Sequence, residues 1–130
     1  MMAELYPVLR ELHYLTSRGG LIIGAVMLLA AIYIGLIRRG DVTRVYRIGV
    51  YFVIGYMVVS ALMGLIMYAY GGRPYDPVHL VYGAGAVLSL PFFVFVEVTA
   101  KKRPAMGSYI WAFALMIGIV IRSIATGAAG

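Results

Sequence analysis

Four long apolar segments dominate the chain and restrict its fold more than any other feature. Each has at least the roughly 20 residues that an α-helix needs to cross the hydrocarbon core of a bilayer. Because a lipid-exposed backbone must satisfy its hydrogen bonds internally, each segment is predicted to be helical. The predicted helices cover residues 7–37, 45–70, 77–100 and 105–126 of 130. We therefore expect a single all-α domain, a four-transmembrane-helix up-down-up-down bundle.

The composition agrees with a membrane protein and excludes several kinds of site. Hydrophobic residues make up 63% of the chain and charged residues 12%, whereas soluble domains are about half apolar and about a quarter charged. Cysteine is absent, which excludes disulfides, thiolate metal sites, iron–sulfur clusters and covalent c-type haem. The net charge of +6 does not indicate a nucleic-acid partner, because most of it lies in two short connections.

The same two connections predict the orientation of the bundle. They join the first segment to the second and the third to the fourth, and they hold Arg38, Arg39, Arg44, Arg47, Lys101, Lys102 and Arg103. Basic connections stay on the cytoplasmic side, so both termini and the turn at residues 71–76 are predicted to face outward. We expect a multi-pass protein of a prokaryotic plasma membrane. Glu97, one turn before Lys101, is expected to form a solvated ion pair near the inner surface. The two helix pairs show no internal repeat.

The outward turn leads directly into a helix that carries one of the two histidines. Asp76 is a suitable cap for this helix, and Pro77 suits its first turn because no helical hydrogen bond is lost there. His79 therefore lies at the outer start of the third helix. The other histidine, His13, lies near the start of the first apolar segment.

The two histidines are predicted to lie at the same depth. At about 1.5 Å of rise per residue, His13 stands about 36 Å above Ile37 and His79 about 32 Å above Ala100. In a simple bundle the first and third helices are diagonal, so inward side chains on them face each other. Two imidazoles placed in this way can hold a flat macrocycle from both sides. His13 and His79 are therefore the predicted metal ligands of a non-covalent haem b.

Small residues and tyrosines near the histidines fit this hypothesis, although each set also suits an ordinary role in a membrane bundle. Gly20 and Gly24 follow His13 at helical spacing, and Gly83 follows His79, which leaves room for a haem plane. The alternative is that small residues simply allow membrane helices to pack closely. Tyr14 and Tyr82 flank the histidines and could line a porphyrin or quinone edge, or belong to the interfacial aromatic belt.

Three arginines on the outer side are candidate partners for the haem propionates: Arg122, Arg73 and Arg18. Guanidinium groups form strong charge-assisted hydrogen bonds to carboxylates. Arg122 lies inside the fourth apolar segment, where an unpaired charge is costly. The alternative is that it pairs with a lipid phosphate, or with Asp76 or Glu11.

Catalytic and phosphate-binding motifs are not recognisable. No serine, histidine and acid set has the order of a known nucleophile motif, and no glycine-rich loop opens a helix. Two histidines are too few protein ligands for zinc, although Glu11 or Asp76 could add a third.

The order of these features resembles one four-helix half of a heme A synthase, and also the b-type membrane cytochromes. The matching parts are Glu11-Leu12-His13 at a helix start, a basic inner loop, residues 58–65, a polar outer turn and Val78-His79-Leu80. They cover residues 11–90. The resemblance implies a haem-binding bundle with His13 and His79 as axial ligands. In the family the acid stands one residue further from its histidine, and a second bundle follows, so haem methyl hydroxylation is not expected of this chain.

The leading hypothesis is therefore a b-type haem protein that is not an enzyme by itself. It would transfer electrons with a quinol or a periplasmic redox protein, or handle haem. One alternative is a cofactor-free small subunit or assembly factor of a larger membrane complex. Another is a quinone- or lipid-binding protein. Membrane lipids are expected partners in every case, and a homodimer remains compatible with all three.

Overall fold

The computed structural model describes residues 2–74, 76–100 and 106–127. Its helices are α1 (Met2–Ile32), continued by a π-helical turn at Tyr33–Ile37, α2 (Arg44–Ala69), α3 (His79–Ala100) and α4 (Met106–Gly127). Within these ranges, four helices are long and apolar enough to cross a membrane. The predicted all-helical, four-helix architecture is confirmed. Lys101, Lys102 and Arg103 of the second basic connection lie outside the described residues.

The helix starts differ slightly from the predicted ones. α1 begins at Met2 and continues through Pro7, where the missing N–H removes one hydrogen bond near the helix end. α3 begins at His79, and the preceding turn is capped as predicted. The Asp76 carboxylate accepts a hydrogen bond from the Val78 N–H (3.0 Å), and the Asp76 carbonyl accepts one from the His79 N–H (2.9 Å).

The helices follow one another around the bundle in chain order. α1 packs against α2 and α4, and α3 packs against α4 and α2, so α1 and α3 are diagonal as the simple topology requires. We call α1–α2 the first hairpin and α3–α4 the second hairpin. They meet along two seams, α1–α4 and α2–α3, and α2–α3 is the looser of the two.

The two hairpins bury equivalent positions although their sequences show no evident repeat. Buried or half-buried positions recur at the same spacing in α2 (Tyr46, Val50, Val53, Met57, Ser60) and in α4 (Tyr109, Phe113, Met116, Val120, Ser123). Equivalent residues of the two hairpins also contact each other, since the Tyr46 and Tyr109 ring centroids are 5.6 Å apart. The bundle is therefore an approximately twofold arrangement. We call its two ends the basic end, near Arg47, and the histidine end.

A buried ion pair holds three helices together at the basic end. Glu97 is only 4% exposed, and its Oε1 accepts hydrogen bonds from Arg47 Nη2 (2.8 Å) and the Tyr109 hydroxyl (2.9 Å). The expectation that Glu97 forms a solvated pair was wrong. Sequence spacing reveals neighbours on the same helix, whereas these partners come from α2 and α4.

Candidate functional site

The two histidines meet at the histidine end of the bundle. Their ring centroids are 6.3 Å apart, with the ring planes at 85° to each other. Both side chains are half-buried. One comes from each hairpin, so the site forms only when the hairpins are packed together.

His13 is held against α2 by a backbone acceptor. Its Nδ1 lies 2.8 Å from the carbonyl oxygen of Ser60. Gly64, one turn further along α2, makes this approach possible, because a Cβ atom at Gly64 would stand 3.0 Å from His13 Cε1. The Ser60 hydroxyl in turn accepts a hydrogen bond from the Thr16 hydroxyl (2.9 Å). α1 and α2 are thus tied together around the ring of His13.

His79 is held against α4 by the same device. Its Nδ1 lies 2.6 Å from the Ser123 carbonyl oxygen, and a Cβ atom at Gly127 would stand 2.7 Å from His79 Cε1. The hydroxyls of Ser123 and Thr126 lie 3.4 Å from the same Nδ1. In each hairpin, therefore, a serine carbonyl accepts a hydrogen bond from the histidine, and a glycine one turn later leaves space for its ring.

These hydrogen bonds determine what the two rings can do chemically. A carbonyl oxygen can only accept, so Nδ1 must carry the proton in His13 and in His79. In a neutral imidazole this leaves Nε2 with a free lone pair. Metal-binding histidines commonly use this arrangement, in which a bonded Nδ1–H orients the ring and raises the basicity of the ligating nitrogen. In the neutral form of each imidazole, the site thus offers two oriented nitrogen donors.

The sequence alone does not identify the residues that hold the two histidines in place, which are Ser60, Gly64, Ser123 and Gly127. The available signal was a serine followed four residues later by glycine, near the histidine end of both α2 and α4. Such a pattern is common in membrane helices, where small residues serve close packing. Only the position of the facing histidine gives it a specific meaning here.

The predicted glycines divide into two groups. A Cβ atom at Gly20 would stand 3.4 Å from Met57 Sδ, and one at Gly24 would stand 2.9 Å from Met116 Cε. These two glycines therefore serve the close packing of α1 on α2 and α4. A Cβ atom at Gly83 would meet nothing within 4 Å. Of the three, Gly83, one turn from His79, has space beside it.

The predicted arginines each lie over or beside a tyrosine. The guanidinium-to-centroid distances are 3.5 Å for Arg18 over Tyr14, 3.9 Å for Arg73 over Tyr68 and 5.7 Å for Arg122 beside Tyr82. Tyr14 is 49% exposed, so it lies on the surface rather than between the histidines. Within the described ranges none of the three arginines pairs with a carboxylate. The alternative pairing of Arg122 with Asp76 or Glu11 is therefore not present.

A metal site with several protein ligands is not formed around the histidines. Among the residues that the structure describes, no group of three or more histidine, cysteine, aspartate or glutamate side chains could hold a metal ion. The third carboxylate ligand considered from Glu11 or Asp76 is not in place. The donor set is two imidazoles.

Comparisons with known proteins add no information about the site. No family model, curated protein or solved structure matches the chain. The resemblance to half of a heme A synthase therefore depends on the matching features within residues 11–90 alone.

The hydrogen bond that His79 forms with the Ser123 carbonyl can be tested without any ligand. Alanine at Gly127 places a Cβ atom 2.7 Å from Cε1 and 2.8 Å from Nδ1 of His79, so the ring must move away from Ser123. In ¹⁵N-histidine-labelled protein, NMR should show the Nδ1–H tautomer for both histidines in the wild type and a displaced His79 signal in Gly127→Ala. Loss of this one hydrogen bond should lower the free energy of unfolding by about 1 kcal/mol.

The matched control for this variant is Gly118→Ala on the same helix, where a Cβ atom meets nothing within 4 Å. Its histidine signals should match those of the wild type. Unchanged histidine signals in Gly127→Ala, or an Nε2–H tautomer in the wild type, would contradict this description of the site.

Proposed function

We propose that the protein binds one non-covalent haem b, with His13 and His79 as its two axial ligands. The observation that carries the proposal is the pair of imidazoles, one from each hairpin, with centroids 6.3 Å apart and each Nδ1 engaged by a carbonyl. Two metal–nitrogen bonds of about 2 Å each, together with the offset of each ring centre from its nitrogen, require a separation of roughly 6 Å. Each metal–nitrogen bond lies in the plane of its own ring, so perpendicular rings can share one axis.

The surrounding residues suit a haem in size and charge. Gly83 leaves space beside His79, since a Cβ atom there would meet nothing within 4 Å. Arg18, Arg73 and Arg122 have no carboxylate partner among the described residues. Arg18 and Arg73 donate to backbone carbonyls through Nη1, and their other N–H groups remain as candidate donors to a propionate. The Ser60 and Ser123 carbonyls supply the second layer of hydrogen bonds that orients axial histidines.

Bound haem would supply reversible one-electron exchange. Two histidines permit one such group, at one end of the bundle, so the chain alone is not a path for electrons across a bilayer. Electron exchange with a quinol or a periplasmic redox protein, or haem handling, is the role that fits this position. The proposal includes both termini on the outer side of a prokaryotic plasma membrane, because the basic connections favour the cytoplasm.

Optical spectroscopy of the purified protein tests this proposal. After expression with added haem precursor, the protein should show a Soret band and, after reduction with dithionite, the sharp visible bands of low-spin haem, at one haem per chain. A colourless protein that takes up no added haemin would contradict the proposal. Colourless protein that co-purifies with a larger complex would favour the small-subunit alternative, and bound quinone or lipid in mass spectra would favour the third.

A further inference from the structure

The two imidazoles define how a flat group between them would lie. Each ring is bonded to the second helix of its own hairpin, His13 to α2 and His79 to α4. The line that joins the rings therefore runs from one hairpin to the other. Axial ligands bind on the two opposite faces of a haem, so its plane would lie in the interface between the hairpins. Two of its four edges would then point at the two seams, α1–α4 and α2–α3.

The α1–α4 seam is closely packed. A Cβ atom at Gly24 would stand 2.9 Å from Met116 Cε, and one at Gly35 would stand 2.8 Å from Met106 Cβ. Gly24 lies within α1 and Gly35 within its π-helical continuation, and both methionines are on α4. Both contacts lie further toward the basic end than the histidines, and at these two positions α1 and its π-helical continuation approach α4 closely.

The α2–α3 seam is the looser one, and Gly83 lies on it. On α3, Ala86 and Leu90 are buried in the core, and a Cβ atom at Gly85 would stand 3.7 Å from Ile119 of α4. The helical positions of these residues put Gly83 on the opposite flank of α3, toward α2. A Cβ atom at Gly83 meets nothing within 4 Å, so this part of the seam is open.

The open part of the seam is bounded at each end by a contact that fixes the helices. At the basic end, Arg47 of α2 and Glu97 of α3 form their ion pair at 2.8 Å. At the histidine end, the turn between α2 and α3 is fastened to α4, since the Asp76 N–H donates to the Thr126 carbonyl (2.8 Å). The open stretch beside Gly83, one turn from His79, thus lies between the ion pair and the Asp76–Thr126 hydrogen bond.

We infer that the α2–α3 seam beside Gly83 is a lateral opening that admits the edge of a porphyrin from the bilayer. The inference rests on the proposed function and adds the route by which the ligand reaches the histidines. It also makes this edge, rather than the opposite one, the part of the haem that a lipid-soluble partner reaches.

A leucine at Gly83 tests the opening by filling it. We expect Gly83→Leu to slow haem uptake from haemin-loaded phospholipid vesicles by at least tenfold and to lower the haem content of the purified protein. Gly83→Ala, which adds one methyl group, should have an intermediate effect. Circular dichroism and thermal unfolding of the haem-free variants show whether each one folds. If the leucine variant does not fold, the alanine variant provides the test.

Gly55→Leu is the matched control, because Gly55 is exposed on α2 and a Cβ atom there also meets nothing within 4 Å. Its haem uptake should stay within twofold of the wild type. If the wild type binds haem and Gly83→Leu takes it up equally fast, the opening is elsewhere and the proposed function still stands. If the wild type takes up no haem, the proposed function itself fails.

Discussion

Under the proposed function, alanine at either His13 or His79 is expected to abolish the low-spin haem spectrum. Each variant removes one of the two proposed ligands, and the chain has no third histidine to replace it. Loss of a partner that merely orients a metal ligand already costs about 10- to 100-fold in affinity, so loss of the ligand itself should cost at least as much. Haem content and the reduced-minus-oxidised spectrum of purified His13→Ala and His79→Ala measure the effect.

Two controls separate ligation from a general loss of structure. Leu12→Ala and Leu80→Ala alter the neighbouring residues, which are 44% and 41% exposed, and should keep the wild-type spectrum. Glycine at either histidine, with imidazole added to the solution, should recover the low-spin bands, because free imidazole can occupy the vacated position. A histidine variant that keeps the wild-type spectrum without added imidazole would show that this residue is not a ligand.

The second large effect is expected at the buried ion pair of the basic end. Arg47→Met leaves the Glu97 carboxylate, 4% exposed, without its cation. Removing one partner of a buried pair costs about 3–5 kcal/mol. Because the Arg47 side chain is itself 30% exposed, solvent screens part of the interaction, and we expect about 2–3 kcal/mol. Denaturant or thermal unfolding in detergent micelles measures the change.

A double-mutant cycle isolates this interaction. Glu97→Gln keeps an acceptor for the Tyr109 hydroxyl and leaves Arg47 able to reach water, so it should cost only about 1 kcal/mol. Arg47→Met combined with Glu97→Gln should be more stable than Arg47→Met alone, since no charge is then left buried. Arg44→Met, at an exposed position of the same helix, is the control. Strict additivity of the two single effects would mean that the pair does not stabilise the fold.

Much of the histidine end could be predicted because the information lies along single helices. Helix length follows from apolar runs measured against bilayer thickness. The equal depth of His13 and His79 follows from a constant rise per residue. The Asp76 cap depends on residues within one turn of each other, and its hydrogen bond to the Val78 N–H is present. Each of these properties needs no knowledge of a neighbouring helix.

The sequence by itself therefore determined four long apolar helices, their order and the common level of the two histidines along the bundle. Only the tertiary structure decided which carbonyls accept hydrogen bonds from the imidazoles and why Gly64 and Gly127 must be small. It likewise decided that Glu97 of α3 pairs with Arg47 of α2. It also decided that Gly24 serves packing whereas Gly83 borders an opening. The physical reason is that these contacts depend on the rotation and separation of neighbouring helices. In a bundle whose sides are apolar almost all round, no periodicity in the sequence specifies which faces meet.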